Sequence, residues 1–96
     1  MTRVKNVNGS SKVSPTPPSG YTSWLDYWEK NAEQTATRCG ATDCKSYGRS
    51  NLVGAHVKKV YGSDERWYIV PLCSSCNQRT DYFDVDLMLI PSPNNL

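Results

Sequence analysis

Four cysteines carry the plainest chemistry in the chain. They stand as Cys39-x4-Cys44 and Cys73-x2-Cys76. Each pair can deliver two thiolates from one tight turn, and a chain that folds back between the pairs brings the turns together. That arrangement suits a tetrahedral thiolate site, so Zn2+ in a structural role is the expected cofactor. Two disulfides, or free redox thiols, are the competing uses of the same residues. The x2 spacing is the more diagnostic of the two. His56, the single histidine, could take the place of one cysteine as a ligand.

The compartment bears on that choice. Met1 to Val7 alternates charged and apolar residues and lacks the run of about 7–15 apolar residues that marks a secretory signal. No stretch approaches the roughly 18 apolar residues of a membrane span. The expectation is a cytoplasmic monomer without membrane association, where paired cysteines bind metal more often than each other.

The elements that must position the cysteines follow from pattern. Ninety-six residues, 38% hydrophobic, make one domain with a modest core. A core of that size contributes roughly 3–5 kcal/mol, whereas structural zinc contributes on the order of 10 kcal/mol or more to folding. Arg3 to Val7 alternates as a short strand, and Asn8-Gly9 reads as a turn. Ser10 to Gly20, with three prolines and four serines, reads as a flexible linker. Residues 1–20 are thus a strand and linker, residues 21–91 the zinc-binding domain, and residues 92–96 a polar tail. Ser23 to Asn31 predicts a helix, with Ser23 as its cap, Asp26 completing a weak capping box, and Trp24, Leu25 and Trp28 on one stripe. Those tryptophans serve either as core or, if exposed, as a stacking platform for bases.

Thr35 to Gly48 is polar and suits a metal-bound loop. Leu52 to Val60 reads as extended and broken at Gly54. Arg66 to Leu72 is a strong strand, and Gly62-Ser63-Asp64 makes the turn of a hairpin. Ser74 to Tyr82 predicts a short helix whose first amides can donate to thiolates. Val85 to Ile90 predicts a last strand. Along Leu52 to Val57, Val53, Ala55 and Val57 share one face, and Leu52, Gly54 and His56 the other.

Net charge is +2, too small to dictate a partner. Its distribution is polarised: residues 1–60 hold nine Lys/Arg against four Asp/Glu, and residues 61–96 hold two against five. Arg38, Lys45, Arg49, Lys58 and Lys59 gather in sequence around the first cysteine pair and the hairpin. They either balance a site of charge about −2 or form a phosphate-binding surface.

Gly54-Ala55-His56-Val57, followed by Trp67-Tyr68-Ile69-Val70-Pro71-Leu72-Cys73-Ser74-Ser75-Cys76-Asn77, resembles the core of HNH-type (His-Me finger) domains over about residues 39–82. With Val4-Lys5-Asn6-Val7-Asn8-Gly9 and Ser23-Trp24-Leu25-Asp26-Tyr27-Trp28 added, the whole chain is similar to a family of small, uncharacterised bacterial proteins. The resemblance implies a small, zinc-stabilised α+β domain. Its treble-clef-like core is a β-hairpin leading into a short helix, with an N-terminal helix and terminal strands around it. It also allows histidine at the position of Cys76, which suits a metal ligand better than a disulfide.

In the HNH pattern a histidine activates water, a preceding aspartate and a final His or Asn hold a catalytic cation, and a middle asparagine assists. His56 and Asn77 match the first and last parts. Ala55 stands where the aspartate belongs, and Tyr68 where the middle asparagine belongs. Oxygen-loving cations need a carboxylate in most sites, and the nearby Asp81, Asp84 and Asp86 read as solvated turn and strand positions. His56 therefore has three readings: structural, catalytic base, or zinc ligand. The expected function is a non-catalytic zinc-binding module, degenerate in the HNH sense, that contacts nucleic acid or a protein. The alternatives are an HNH-type metal-dependent endonuclease using His56, and a protein-interaction module without nucleic-acid affinity.

Overall fold

The computed structural model describes residues 1–7, 17–62 and 66–92. The fold is α+β. One antiparallel sheet of five strands has the order β4-β1-β2-β3-β5. The strands are β1 (Thr2–Asn6), β2 (Leu52–Lys59), β3 (Trp67–Cys73), β4 (Phe83–Val85) and β5 (Ile90–Pro91). Two helices accompany them, α1 (Trp24–Ala32) and the four-residue α2 (Ser74–Asn77). A short 3-10 turn, Arg49–Asn51, leads into β2.

β2 and β3 form the expected hairpin, paired from Leu52↔Cys73 to Lys58↔Trp67. Gly62, at a φ of 95°, opens its turn; Ser63 and Asp64 lie outside the described residues, as do Asn8-Gly9 and most of the linker. Every residue of β3 is buried, because both faces of the sheet are covered there. Val4, Val57 and Val70 are fully buried on one face. On the other, α1 packs over β2, β3 and β5.

Gly54 does not break β2. A side chain there would stand 2.4 Å from the backbone carbonyl carbon of Trp24 and 2.5 Å from the Leu25 nitrogen. Glycine is what lets the start of α1 lie directly on the strand. The helix begins as its sequence predicts, with Ser23 Oγ accepting from the Asp26 amide at 3.0 Å. The Asp26 carboxylate reaches one residue further back than a capping box requires and accepts from Thr22 N. Trp24 and Trp28 are core residues, and Trp28 Nε1 donates to the Met88 carbonyl at 2.7 Å.

β1 is an inner strand, held by β2 on one side and β4 on the other. Two expectations are corrected. The helix expected over Ser74 to Tyr82 stops at Asn77, where Asn6 takes the carbonyls of Cys76 and Arg79 that a longer helix would use. The strand expected over Val85 to Ile90 is two short strands at opposite edges of the sheet. Residues 86–89 cross between the edges, and the bonds of Asp86 N to Gly40 O and of Trp28 to Met88 O replace ladder bonds.

Pro71 sits inside β3, where a missing N–H would ordinarily cost a ladder bond. In an antiparallel strand a residue sends its N–H and C=O to the same side. The Pro71 carbonyl accepts from Gly40 N at 2.7 Å, on the side away from β2, so no hairpin bond is lost. The same side of β3 is served in turn by Ser92 N, by β5, by Gly40 and finally by the Cys39 sulfur, which accepts from Cys73 N at 3.3 Å.

Gly54→Ala should destabilise the protein by about 3 kcal/mol, the upper range for overpacking, because backbone rather than a side-chain tip must move. Denaturant unfolding of the metal-replete protein measures this. An unchanged midpoint would mean that α1 can lift from β2 without loss.

Candidate metal centre

The site is assembled from three places in the chain. Cys39 and Cys44 belong to a loop closed on itself by Cys39 N to Ser46 O at 3.0 Å and by a bridge between Arg38 and Tyr47. The loop is fastened to β4 through Thr42 N to Asp84 O and an Ala41–Val85 bridge. Gly40 lets it approach β3, since a side chain there would press on Pro71 O and Val70 at 3.0 Å. Cys73 ends β3, and Cys76 follows in α2.

The four Sγ atoms all lie within 4.8 Å of one another, and Cys44 and Cys73 approach to 3.6 Å. Sulfurs around a zinc at about 2.3 Å form a tetrahedron with edges of about 3.8 Å. A disulfide needs roughly 2.05 Å, and all four cysteines are free. Cys39, Cys73 and Cys76 are buried and Cys44 is half-buried. Four cysteines are therefore positioned to coordinate one metal ion. Among the described residues they are the only such group of three or more His, Cys, Asp and Glu.

Donors converge on the sulfurs. Cys39 accepts from the amides of Cys73 and Ala41, Cys44 from the amide of Ser46, and Cys73 from the amide of Cys76; the Cys44 sulfur and the Ser46 hydroxyl are hydrogen-bonded at 3.5 Å. The Ser46 bonds pull the Cys44 thiol down to about 6. Cys73 is also lowered: burial opposes ionisation there, but the Cys76 amide and the Ser46 hydroxyl outweigh it. Burial pushes Cys39 and Cys76 up, and for Cys76 the neighbouring thiols add to the effect. Hydrogen bonds thus favour ionisation at Cys44 and Cys73, and burial opposes it at Cys39 and Cys76.

Two supporting residues have no sequence signature as ligands. Asn6 of β1 donates from Nδ2 to Cys76 O at 2.8 Å and Arg79 O at 3.1 Å, fixing the turn that carries Cys76. Its Oδ1 is buried without a protein partner among the described residues. Arg79 lies beside Cys76, binds the Asp43 carboxylate at 2.7 Å and covers the Phe83 ring. Its place three residues after Cys76 was the available signal, since a cation there offsets thiolate charge.

The other candidates are dispersed. His56 does not join the cysteines. Its ring packs edge-on against Trp24, centroids 4.6 Å apart, with Trp67 at 6.3 Å. It is 9% exposed, and burial draws its pKa below the usual histidine value. Ala55 is buried beside it, and Asn77 is half-buried at the end of α2. Arg38 pairs with Asp86 at 2.9 Å, and Arg49 forms a bidentate pair with Glu29 of α1. Lys59 lies over the Tyr68 ring at 4.6 Å, while Lys45 and Lys58 are exposed. Arg49 precedes β2 and Lys58 nearly ends it, and Leu52 to Lys58 alone spans about 20 Å of extended strand. The five cations thus do not share one patch.

No protein-family model, curated protein or solved structure matches the chain. Among the described residues, no helix is long and apolar enough to cross a membrane.

Two substitutions test the site. Asn6→Ala should weaken metal binding about 10- to 100-fold, as loss of an outer-shell partner does, measured by competition with a chromophoric chelator. His56→Phe should keep full metal content at pH 7.5. Because the folded protein holds His56 below its unfolded pKa, the neutral ring stabilises fully above about pH 6.5 and progressively less as pH falls further. Wild type should therefore lose more stability than His56→Phe between pH 7.5 and pH 6. Metal loss in the variant would make His56 a ligand.

Proposed function

We propose that the chain is a non-catalytic module built on one structural zinc ion, which presents its sheet to nucleic acid. The observation that carries the first part is the closed set of four sulfurs within 4.8 Å, three of them buried. An all-thiolate tetrahedral site favours zinc, with iron as the chemical competitor. Zinc there would join the loop of Cys39 and Cys44 to the end of β3 and to α2. A site with four protein ligands leaves no position for substrate, which is the mark of a structural rather than a catalytic metal.

The hairpin followed by the short Cys73–Asn77 turn agrees with a treble-clef-like, HNH-like core. The catalytic reading of that core is the weaker one. Ala55 offers no ligand where a cation would bind, and the His56 ring is enclosed by two tryptophans. Contact with nucleic acid rests on the cations of the first sixty residues. An all-thiolate site also fits the reducing cytoplasm in which we place the protein as a monomer.

Protein purified under reducing conditions should contain about one zinc per chain by elemental analysis, and a strong chelator should abolish its cooperative unfolding. Iron in the same stoichiometry would replace zinc in this reading, and no metal would end it. Supercoiled plasmid with Mg2+ or Mn2+ should stay intact. Nicking that His56→Ala abolishes would establish the endonuclease instead.

A further inference from the structure

Side chains alternate along β1, so its two faces meet different surroundings. Val4 and Asn6 point into the core and toward the cysteine site. Arg3 and Lys5 point to the opposite face, the one on which α1 covers β2, β3 and β5. Over β1 and β4 that face is uncovered among the described residues. Arg3 is paired there with Asp84 at 3.0 Å. Lys5 and Lys58 are exposed directly opposite each other across β1 and β2, and neither has an ion-pair partner among the described residues.

Two ammonium groups facing each other across a strand pair repel, so the arrangement costs stability. Lys5, Val7, Lys58, Val60 and Tyr82 line a concavity of about 460 Å³ at this place. Tyr82 adjoins β4, which pairs with β1 through Val4↔Phe83, and it is 55% exposed. Two unpaired cations beside an exposed aromatic ring, over a floor with two valines, match the needs of a nucleotide: charge for phosphate and a flat surface for a base.

Resting on the nucleic-acid part of the function proposed above, we infer that this open face of β1, β2 and β4 is a binding surface for single-stranded nucleic acid. Lys5 and Lys58 hold phosphates, and Tyr82 stacks a base. The charge on the surface selects the occupant. Single strands are favoured over duplex because neither helix is placed to enter a groove: α1 buries its tryptophans on the sheet, and α2 has four residues.

Fluorescence anisotropy of the metal-replete full chain with a labelled 12-nucleotide single strand, and with a duplex of the same length, tests this at low salt. The single strand should bind more tightly. Lys5→Glu and Lys58→Glu should each weaken binding and flatten the slope of log K against log salt by about 0.7. Tyr82→Ala should weaken binding by about tenfold and leave that slope unchanged. Lys5→Glu should also raise the melting temperature by about 2 °C, because it replaces a like-charged pair with an opposite one. A loss of affinity joined to a gain in stability cannot come from misfolding. Single-strand binding that ignores all three substitutions, or a preference for duplex, would overturn this surface while leaving a nucleic-acid module intact. Absence of binding to either probe would overturn both.

Discussion

Four sulfur atoms within 4.8 Å of one another impose the constraint on which the rest of the molecule depends. As thiols they pack, but their protons compete for the same small volume. As thiolates they repel. A cation among them would let all four ionise together: hydrogen bonds already hold Cys44 and Cys73 below the usual thiol value, while burial holds Cys39 and Cys76 above it. A metal there would add one more joint between the loop of Cys39 and Cys44, the end of β3 and α2, parts that backbone bonds already bring together.

The sheet explains how those parts arrive. One side of β3 runs as a continuous row of partners, from Ser92 and Ile90 to Gly40 and the Cys39 sulfur. The loop bearing the first cysteine pair therefore continues the job of β5, and the Cys39 sulfur occupies the place of the last carbonyl. β1 closes the arrangement from the other direction. Its Asn6 clamps the turn after Cys76, and the next residue back, Lys5, stands on the outer face of the same strand. One strand thus joins the interior of the metal site to the exposed surface.

Charge is used in the same way. The first sixty residues are basic on balance and the remainder acidic, and folding matches them across the ends: Arg3 with Asp84, Arg38 with Asp86. Arg79 crosses back to Asp43, and Arg49 finds Glu29 on α1. Exposed pairs of this kind contribute little individually. Their consequence lies in what they remove from the surface. Arg38 and Arg49 are spoken for, and Lys5 and Lys58 stand out as cations without a carboxylate among the described residues.

The local chemistry was legible in the sequence. Cysteine spacing announced the cluster of four sulfurs, the Ser23 cap and the Trp24–Trp28 stripe announced α1, and the aromatic and branched run from Trp67 announced β3. Each of these depends on neighbours within a turn or two, so no distant contact was needed to read it. What tertiary structure decided depends on partners far away in the chain. Gly54 read as a strand break, but its missing side chain makes room for Trp24, thirty residues earlier. The helix after Cys73 ends early because Asn6 competes for its carbonyls, and the last strand divides because its two ends satisfy opposite edges of the sheet. His56 and the basic residues looked like candidates for chemistry because sequence records their types and order. Burial between two tryptophans, and carboxylates supplied by remote segments, arise only when the chain has closed on itself.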